Sequence, residues 1–214
     1  MIGTSYEKTN IPRAIMAGGC IALGCFGYIT LGGIPGAIIF ALGLCVIVSL
    51  DFQLFTGKTG EIDITYVASG IRILNLPIIL DLFKRTLFWN IFGVILISGL
   101  IYFGDYPEIQ SKAADIIKSR LELSYFSIFM RAVGCGLIMD LIVKSFKTTK
   151  SYIPILLGIP MFILGGFLHS IAEPFYIIFG FSMDNLPVIG LYYLLVICGN
   201  FIGCRIRKLF IHNV

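Results

Sequence analysis

The sequence has few charged residues. Asp, Glu, Lys and Arg make up 13% of its 214 residues, whereas 57% of the residues are hydrophobic. A soluble domain carries about 25% charged residues, so this chain has too few to cover a water-exposed surface. Its net charge of +4 is not gathered into a basic face with interleaved aromatics, so we expect no nucleic-acid partner. The composition predicts a polytopic membrane protein in a lipid bilayer.

The residue types that build metal sites and enzyme active sites are also scarce. The chain has two histidines, and its six cysteines lie in apolar runs without a C-x-x-C pair. No nucleophilic triad, Walker loop or dinucleotide fingerprint is present. We therefore expect no disulfide framework, no metal, no cofactor and no enzymatic activity.

Apolar runs long enough to cross a bilayer are what the sequence does contain. A spanning helix needs about 20 apolar residues. Six segments qualify: about Ala14–Leu31, Ile34–Phe55, Thr86–Phe103, Tyr125–Val143, Tyr152–Phe181 and Leu186–Cys204. Of the outer connections, only Gly104–Ser124 has room for a short helix.

The second and fifth segments do not resemble plain spans. The fifth is too long for one crossing and is interrupted by Pro154, Pro160, Gly165, Gly166 and Pro174. The second passes through Thr56 and Gly57, and its apolar pattern resumes over Ile62–Leu74. Broken backbone at membrane depth is tolerated where protein or a water-lined cavity satisfies it. We expect two broken helices that meet near the middle of the membrane.

The two halves of the chain repeat weakly. Three short matches recur at nearly one spacing: Ala17–Cys20 with Ala132–Cys135, Leu54–Thr56 with Leu168–Ser170, and Asn90–Gly93 with Asn200–Gly203. Each half, about 11–103 and about 121–207, has three spans, and an odd number requires opposite orientations in the membrane. Inverted repeats with broken helices indicate a transport site at the midplane. The predicted fold is one all-α transmembrane domain over residues 1–214, with six helices in two inverted three-helix repeats.

The distribution of Lys and Arg predicts the orientation. With the N-terminus inside, eleven of these residues fall in inner segments, and the outer loops contain three, Lys112, Lys118 and Arg120. Lys58 and Arg131 fall within membrane segments. The positive-inside rule then places both termini in the cytoplasm, and we expect the cell membrane as the location.

His169 is the strongest candidate for chemistry. It is the histidine within the apolar segments, since His212 lies in the C-terminal tail. An ionisable group inside a membrane is costly and marks a substrate or proton path, and a free imidazole has a pKa of about 6.5. The alternative is a neutral ring that holds two helices together by hydrogen bonds. Glu173, four residues later, either orients the ring or faces a polar vestibule.

The other candidate residues fall into three groups. Hydroxyls at the breaks, Thr56 and Ser170, either bind a passing ligand or satisfy freed backbone groups, while Leu54, Phe55 and Phe175 are placed along an apolar pathway. Lys58 either attracts an anion at a vestibule or extends to an interface. Residues assigned to helix packing or structural ion pairs are Asn90, Asn200, Arg131, Asp140 and Asp51.

These motifs together resemble the formate/nitrite transporter family over Ala17–Gly203. Leu54–Gly57 resembles the LFTG signature at the break of the second helix, and Gly166–Ala172 resembles the G-F-E-H-S-I-A run of the fifth. Arg131–Cys135 resembles the start of the fourth helix, and Asn90-x-x-Gly93 and Asn200-x-x-Gly203 resemble the GN-x-x-G elements.

The resemblance implies an aquaporin-like protomer in a homopentamer, with one pore in each protomer. It also implies that His169 is the central pore histidine, that Thr56 is its partner, and that Arg120 stands near a lysine position of the outer vestibule. Four residues depart from the family pattern: Leu168 replaces the usual Glu, Glu173 an Asn, Gly136 an Asn, and Lys58 a small or amide residue.

Our hypothesis from the sequence is a channel or transporter for a small monovalent weak-acid anion or its neutral acid, such as formate, nitrite or hydrosulfide. Protons are the second partner, coupled through His169. The alternative in the same class is an aquaporin-like channel for a small neutral solute without proton coupling. A closed structural or regulatory membrane protein is another class. An intramembrane enzyme would need a nucleophile or a second histidine near His169, and the sequence offers neither.

Overall fold

The computed structural model describes residues 7–62, 65–68, 71–181 and 186–210, and His212 lies outside them. The helices are α1 (Ile11–Leu31), α2 (Gly33–Ser49), α3 (Phe55–Glu61), α4 (Leu76–Asp81), α5 (Phe88–Phe103), α6 (Pro107–Leu121), α7 (Tyr125–Thr149), α8 (Ile153–Leu164), α9 (Glu173–Gly180), α10 (Leu186–Gly203) and α11 (Ile206–Phe210). A π-helical turn, Leu82–Leu87, joins α4 to α5. This joined helix begins ten residues before the predicted start at Thr86.

Within the described part of the chain, four helices are long and apolar enough to cross a membrane: Ile11–Leu31, Leu76–Phe103, Tyr125–Thr149 and Leu186–Phe210. The second and fifth predicted segments are each divided. Residues 50–54 separate α2 from α3, and residues 165–172 separate α8 from α9. The first break therefore lies before Thr56, which belongs to the first turn of α3, and not at Thr56–Gly57 as the sequence suggested.

A small hairpin replaces the apolar continuation expected over Ile62–Leu74. Its strands are β1 (Thr65–Ala68) and β2 (Ile71–Leu74), antiparallel, with Thr65 opposite Leu74. The segment is rich in β-branched residues and tyrosine, which favour a strand over a helix. The all-α prediction is therefore wrong for this segment, while the helix expected between Gly104 and Ser124 is confirmed as α6.

Local signals fix the first helical hairpin. The side chain of Asn10 accepts a hydrogen bond from the Arg13 amide (3.2 Å) and so caps the start of α1. At its end, Gly32 and Gly33 both have positive φ, 66° and 50°. Glycine adopts this left-handed conformation without a Cβ clash, so α1 turns directly into α2.

Glycines also determine how closely the long helices approach. α1 packs against α5, and α7 packs against α10. A Cβ added to Gly93 would overlap the carbonyl of Ile15, and one added to Gly203 would overlap the carbonyl of Val133. Small residues at helix contacts replace the hydrophobic driving force that lipid removes. The two pairs therefore depend on backbone contact at these positions.

Candidate substrate pathway

His169 and Thr56 meet where the two breaks come together. His169 belongs to the break between α8 and α9, and Thr56 to the first turn of α3. The ring nitrogen Nε2 of His169 lies 3.2 Å from Oγ1 of Thr56. The residues are 1% and 0% exposed. The fold thus brings together two polar side chains that are 113 residues apart in the chain.

The other ring nitrogen of His169 indicates its protonation state. The amide N–H of Ile171 donates to Nδ1 at 3.3 Å. An acceptor Nδ1 carries no proton, so in this arrangement the ring is neutral and its proton is on Nε2, facing Thr56. His169 is therefore arranged to donate a hydrogen bond at the pathway centre.

Asn90 of α5 holds the first break. Its Oδ1 accepts from the Phe55 amide at 2.8 Å, and its Nδ2 donates to the carbonyls of Ala14 (2.8 Å) and Gln53 (2.9 Å). Asn90 is fully buried. One side chain thus pairs two backbone groups at the break, the Phe55 amide and the Gln53 carbonyl, and links them to Ala14 of α1. Buried backbone groups need such partners, because leaving them unpaired in an apolar core costs free energy.

Asn200 of α10 holds the second break with the same pattern. Its Oδ1 accepts from the Ser170 amide at 2.8 Å, and its Nδ2 donates to the carbonyls of Ala132 (2.9 Å) and Leu168 (2.8 Å). By these contacts Ser170 corresponds to Phe55. The sequence had matched Ser170 with Thr56, which was wrong by one residue because a three-residue match does not fix a register.

Ser170 has an unused hydroxyl beside His169. Its Oγ is buried without a hydrogen-bond partner among the described residues, although a buried polar atom normally has one. Its carbonyl accepts from the Tyr193 hydroxyl at 2.8 Å. The amide and the carbonyl of Ser170 are therefore both paired, while its hydroxyl remains available for a ligand.

We expect Tyr193→Phe to destabilise this break moderately. The change leaves the Ser170 carbonyl without its donor, which costs about 1 kcal/mol and lowers the melting temperature by about 2–4 °C. Thermal unfolding of the purified protein measures the shift. Tyr125→Phe is the matched control because Tyr125 is 53% exposed. Equal melting temperatures for the two variants would show that the hydrogen bond from Tyr193 does not stabilise the break.

Glu173 pairs with Arg120 and not with His169. Its Oε2 accepts from Nη1 of Arg120 at 2.6 Å and from the hydroxyl of Tyr192 at 2.5 Å. The carboxylate is buried, and the Arg120 side chain is 19% exposed. Of the two interpretations from the sequence, the geometry excludes the one in which Glu173 orients the histidine ring.

A small cavity of about 10 Å³ connects this ion pair to His169. Arg120, Glu173 and His169 line it together with the rings of Phe40 and Phe162. The centroids of these two rings are 5.9 Å apart, and Phe162 lies 6.1 Å from the His169 ring. The sequence analysis missed Phe40 and Phe162 because neither belongs to a motif, and only helix packing brings them to the histidine.

An open cavity of about 340 Å³ lies beside α3. Its lining includes Leu54 from the break, Gly57 and Lys58 from α3, and charges of both signs such as Asp51 and Lys147. This volume is ample for a small hydrated ion. Leu54 thus lines the open cavity, and its role in the pathway stays a prediction.

Lys58 has a carboxylate nearby. Its Nζ donates to Oγ1 of Thr9 at 2.8 Å and lies 3.5 Å from Oδ2 of Asp81. The Thr9 hydroxyl in turn donates to Asp81 at 2.6 Å. The charge of Lys58 is thus largely balanced, and this pairing weakens the expected attraction of an anion.

Three cations from the C-terminal segment cap the end of α3. Arg205 donates to the carbonyls of Thr59 and Ile62, Arg207 to that of Gly60, and Lys208 to those of Glu61 and Ile62. Positive groups at a helix C-terminus offset its dipole and its unpaired carbonyls. This cap fixes the half-helix that carries Thr56.

Arg131, Asp140 and Asp51, which the sequence assigned to structural roles, do not pair with one another. Asp140 accepts from Nε of Arg207 at 2.7 Å, whereas Nη1 of Arg131 donates to the carbonyl of Gly166 at 3.3 Å. Arg131 thereby supports the second break. Asp51 pairs with Arg13 at 2.9 Å.

The two phenylalanines placed on the pathway, Phe55 and Phe175, are both fully buried. The Phe55 ring packs edge-on against Phe83 at 5.4 Å, and Phe175 packs against Tyr176 and Phe179. Neither residue lines the two cavities described above, so a pathway role for them stays a prediction.

Comparison with known proteins gives two kinds of match. A family model described as formate/nitrite transporter matches residues 6–211. Among solved structures, a pentameric formate channel with formate bound aligns with a TM-score of 0.73 at 19% identity, over 91% of each chain. A structure described as an FNT family ion channel aligns with a TM-score of 0.74 at 20% identity, over 92% of this chain and 85% of that one. No curated protein sequence matches the chain significantly.

Proposed function

Because the chain belongs to the formate/nitrite transporter family, we propose that it conducts a small monovalent weak-acid anion across a membrane together with a proton. Formate, nitrite and hydrosulfide are the first candidates. The family and the long apolar helices make it a multi-pass membrane protein.

The proposed topology has six spans in two inverted repeats, about 11–103 and about 121–207. Two broken helices and the matching hydrogen bonds of Asn90 and Asn200 support it. The excess of Lys and Arg on one side supports cytoplasmic termini in the cell membrane. The pentameric formate channel that shares this fold supports a homopentamer with one pathway in each protomer.

The single observation that carries the proposal is the buried contact between His169 and Thr56. Burying a polar pair in an apolar interior costs free energy. In membrane proteins such buried groups mark substrate or proton paths. The unpartnered hydroxyl of Ser170 lies next to it in the chain. His169, Thr56 and Ser170 thus supply three buried hydrogen-bonding side chains where the two breaks meet.

The physical problem for the substrate is its charge. Moving a bare charge to the centre of a bilayer costs at least about 3 kcal/mol. Protonation of the anion before it passes the Phe40 and Phe162 rings therefore lowers the free-energy barrier to passage. The neutral acid then accepts a hydrogen bond from Nε2 of His169 and from the Thr56 or Ser170 hydroxyl. We assign His169 the task of holding the acid, because its ring is already neutral in this arrangement.

The proposal is tested by flux measurements in proteoliposomes. The lumen contains a pH dye, and formate, nitrite, hydrosulfide, lactate and chloride are added in turn at two external pH values. We expect one or more weak-acid anions to enter with protons, faster at the lower pH, while chloride hardly enters. Empty liposomes give the background from direct diffusion of the neutral acids.

Other outcomes would contradict the proposal in distinct ways. Flux of water or glycerol without proton movement would favour the neutral-solute channel. Chloride flux independent of pH would indicate an unselective anion pore. Absence of all flux from a correctly assembled protein would favour a closed or regulatory protein.

A further inference from the structure

Glu173 and Arg120 form a closed ion pair at the entrance to the histidine site. The carboxylate is 1% exposed and its Oε2 is held by both Arg120 and Tyr192. The Arg120 guanidinium also lies 4.4 Å above the ring of Tyr176. Both members of the pair line the small cavity that contains His169. A solute that passes from α6 towards His169 therefore meets this pair first.

The pair is electrically balanced before a substrate arrives. Besides Arg120, the titratable groups that face Glu173 from the surrounding elements are Cys25, Cys135, His169, Tyr176, Tyr192 and Tyr193. Thiols and phenols are neutral near pH 7, and the His169 ring is neutral in this arrangement. The negative charge of Glu173 is thus balanced by Arg120.

An entering anion would disturb this balance. Its natural partner is the guanidinium of Arg120, but a second negative charge beside the Glu173 carboxylate would repel it in a cavity of about 10 Å³. Two adjacent carboxylates in such a site do not both remain ionised. The positive charge of Arg120 can fully balance the anion only if Glu173 loses its charge, because the pair is otherwise already neutral.

We propose that Glu173 takes up the proton that accompanies each anion, while the anion replaces the Glu173 carboxylate beside Arg120. This inference rests on the proposed function and adds the proton site to it. The proton binds to a carboxylate oxygen of Glu173. It then passes to the bound anion, so that the O–H bond of Glu173 breaks and a new bond to hydrogen forms on the substrate. The neutral acid moves on to His169 and Thr56, and the Glu173 carboxylate pairs with Arg120 again.

Calorimetric titration of the purified full-length protein tests this step without transport. Thiocyanate is the probe because its conjugate acid is strong, so any proton taken up must reside on the protein. Titrations in two buffers of different ionisation enthalpy give the number of protons bound with each anion. We expect about one proton per thiocyanate in the wild type and about none in Glu173→Gln, which leaves Arg120 free to bind the anion. The exposed Glu122 at the end of α6 provides the control, and Glu122→Gln should keep the uptake of about one proton.

The contrary results are equally clear. Thiocyanate binding without proton uptake in the wild type, no thiocyanate binding, or undiminished uptake in Glu173→Gln would each overturn the proposal. If Glu173→Gln does not assemble, Tyr192→Phe replaces it. Loss of one donor to the carboxylate should move the upper pH limit of thiocyanate binding to a higher value, and an unchanged limit counts against the proposal. Failure of wild-type flux in liposomes would instead contradict the proposed function, since the binding measurement does not depend on it.

Discussion

Replacing Gly203 with alanine is expected to destabilise the folded protein severely. The added Cβ would overlap the carbonyl oxygen of Val133, lie 2.9 Å from the Leu137 amide nitrogen and 3.0 Å from the Cα of Gly136. All three atoms belong to the backbone of α7, so no side-chain rotation relieves the clash. Overpacking of a tight core costs about 1–3 kcal/mol, and we expect a loss near the upper end, about 3 kcal/mol. Separation of α7 from α10 would also move Asn200 away from the second break.

Gly190→Ala on the same helix is the matched control, because a Cβ at Gly190 meets nothing within 4 Å. Both variants add one methyl group to α10, and they differ in the space around that methyl. Thermal unfolding and size-exclusion chromatography of both in detergent give the comparison. If Gly203→Ala matches Gly190→Ala in both measurements, backbone contact between α7 and α10 is not what holds the helices together.

Replacement of His169 with phenylalanine is expected to reduce proton-coupled uptake tenfold or more. The neutral acid would lose the hydrogen bond from Nε2, and Thr56 would lose its partner at 3.2 Å. A lost hydrogen bond of about 1.5 kcal/mol corresponds to a factor of about ten in rate. The measurement is initial uptake of the transported anion into proteoliposomes between about pH 5 and 8, the range in which a free imidazole titrates. Assembly should remain intact because the phenylalanine ring is of similar size.

The variant His169→Asn distinguishes the contribution of the hydrogen bond from that of the imidazole ring. An amide can still donate to a passing acid and to Thr56, so partial recovery of uptake relative to phenylalanine supports the assigned role. Uptake of His169→Phe equal to that of the wild type at every pH would remove His169 from the mechanism. Loss of the oligomer in both variants would show that the residue is structural.

Three of the four departures from the family pattern have local explanations in the structure, and nothing in the structure explains Leu168. Gly136 packs against the backbone of Asn200, so no side chain fits there. Lys58 bonds to Thr9 and lies near Asp81, which ties the start of the described chain to α3. Glu173 faces Arg120. Both unusual charges thus lie beside an opposite charge, although Lys58 shares Asp81 with Arg85.

Much of the architecture was predictable because it depends on local composition. Length and hydropathy of the runs predicted membrane helices, and the Gly165–Gly166 pair with Pro174 predicted the break in the fifth segment. Pro160, also expected to interrupt that segment, lies inside α8. The hairpin at 65–74 was missed because a short apolar run does not distinguish strand from helix. The end of α2 was misplaced for a related reason: residues 50–54 are mostly apolar, and their departure from the helix is stabilised by Asn90, far along the chain.

The sequence by itself determined the class of protein, the candidate histidine and the position of the second break, because hydrophobicity and short motifs are properties of neighbouring residues. The contact between His169 and Thr56 was expected from the family resemblance. Tertiary structure alone decided the other partners: it joined Glu173 to Arg120 and Tyr192, and it brought Phe40 and Phe162 to the histidine. Contacts between side chains distant in the chain depend on how the helices pack, and that packing is set by the sum of many close glycine and side-chain contacts. No local pattern encodes that sum.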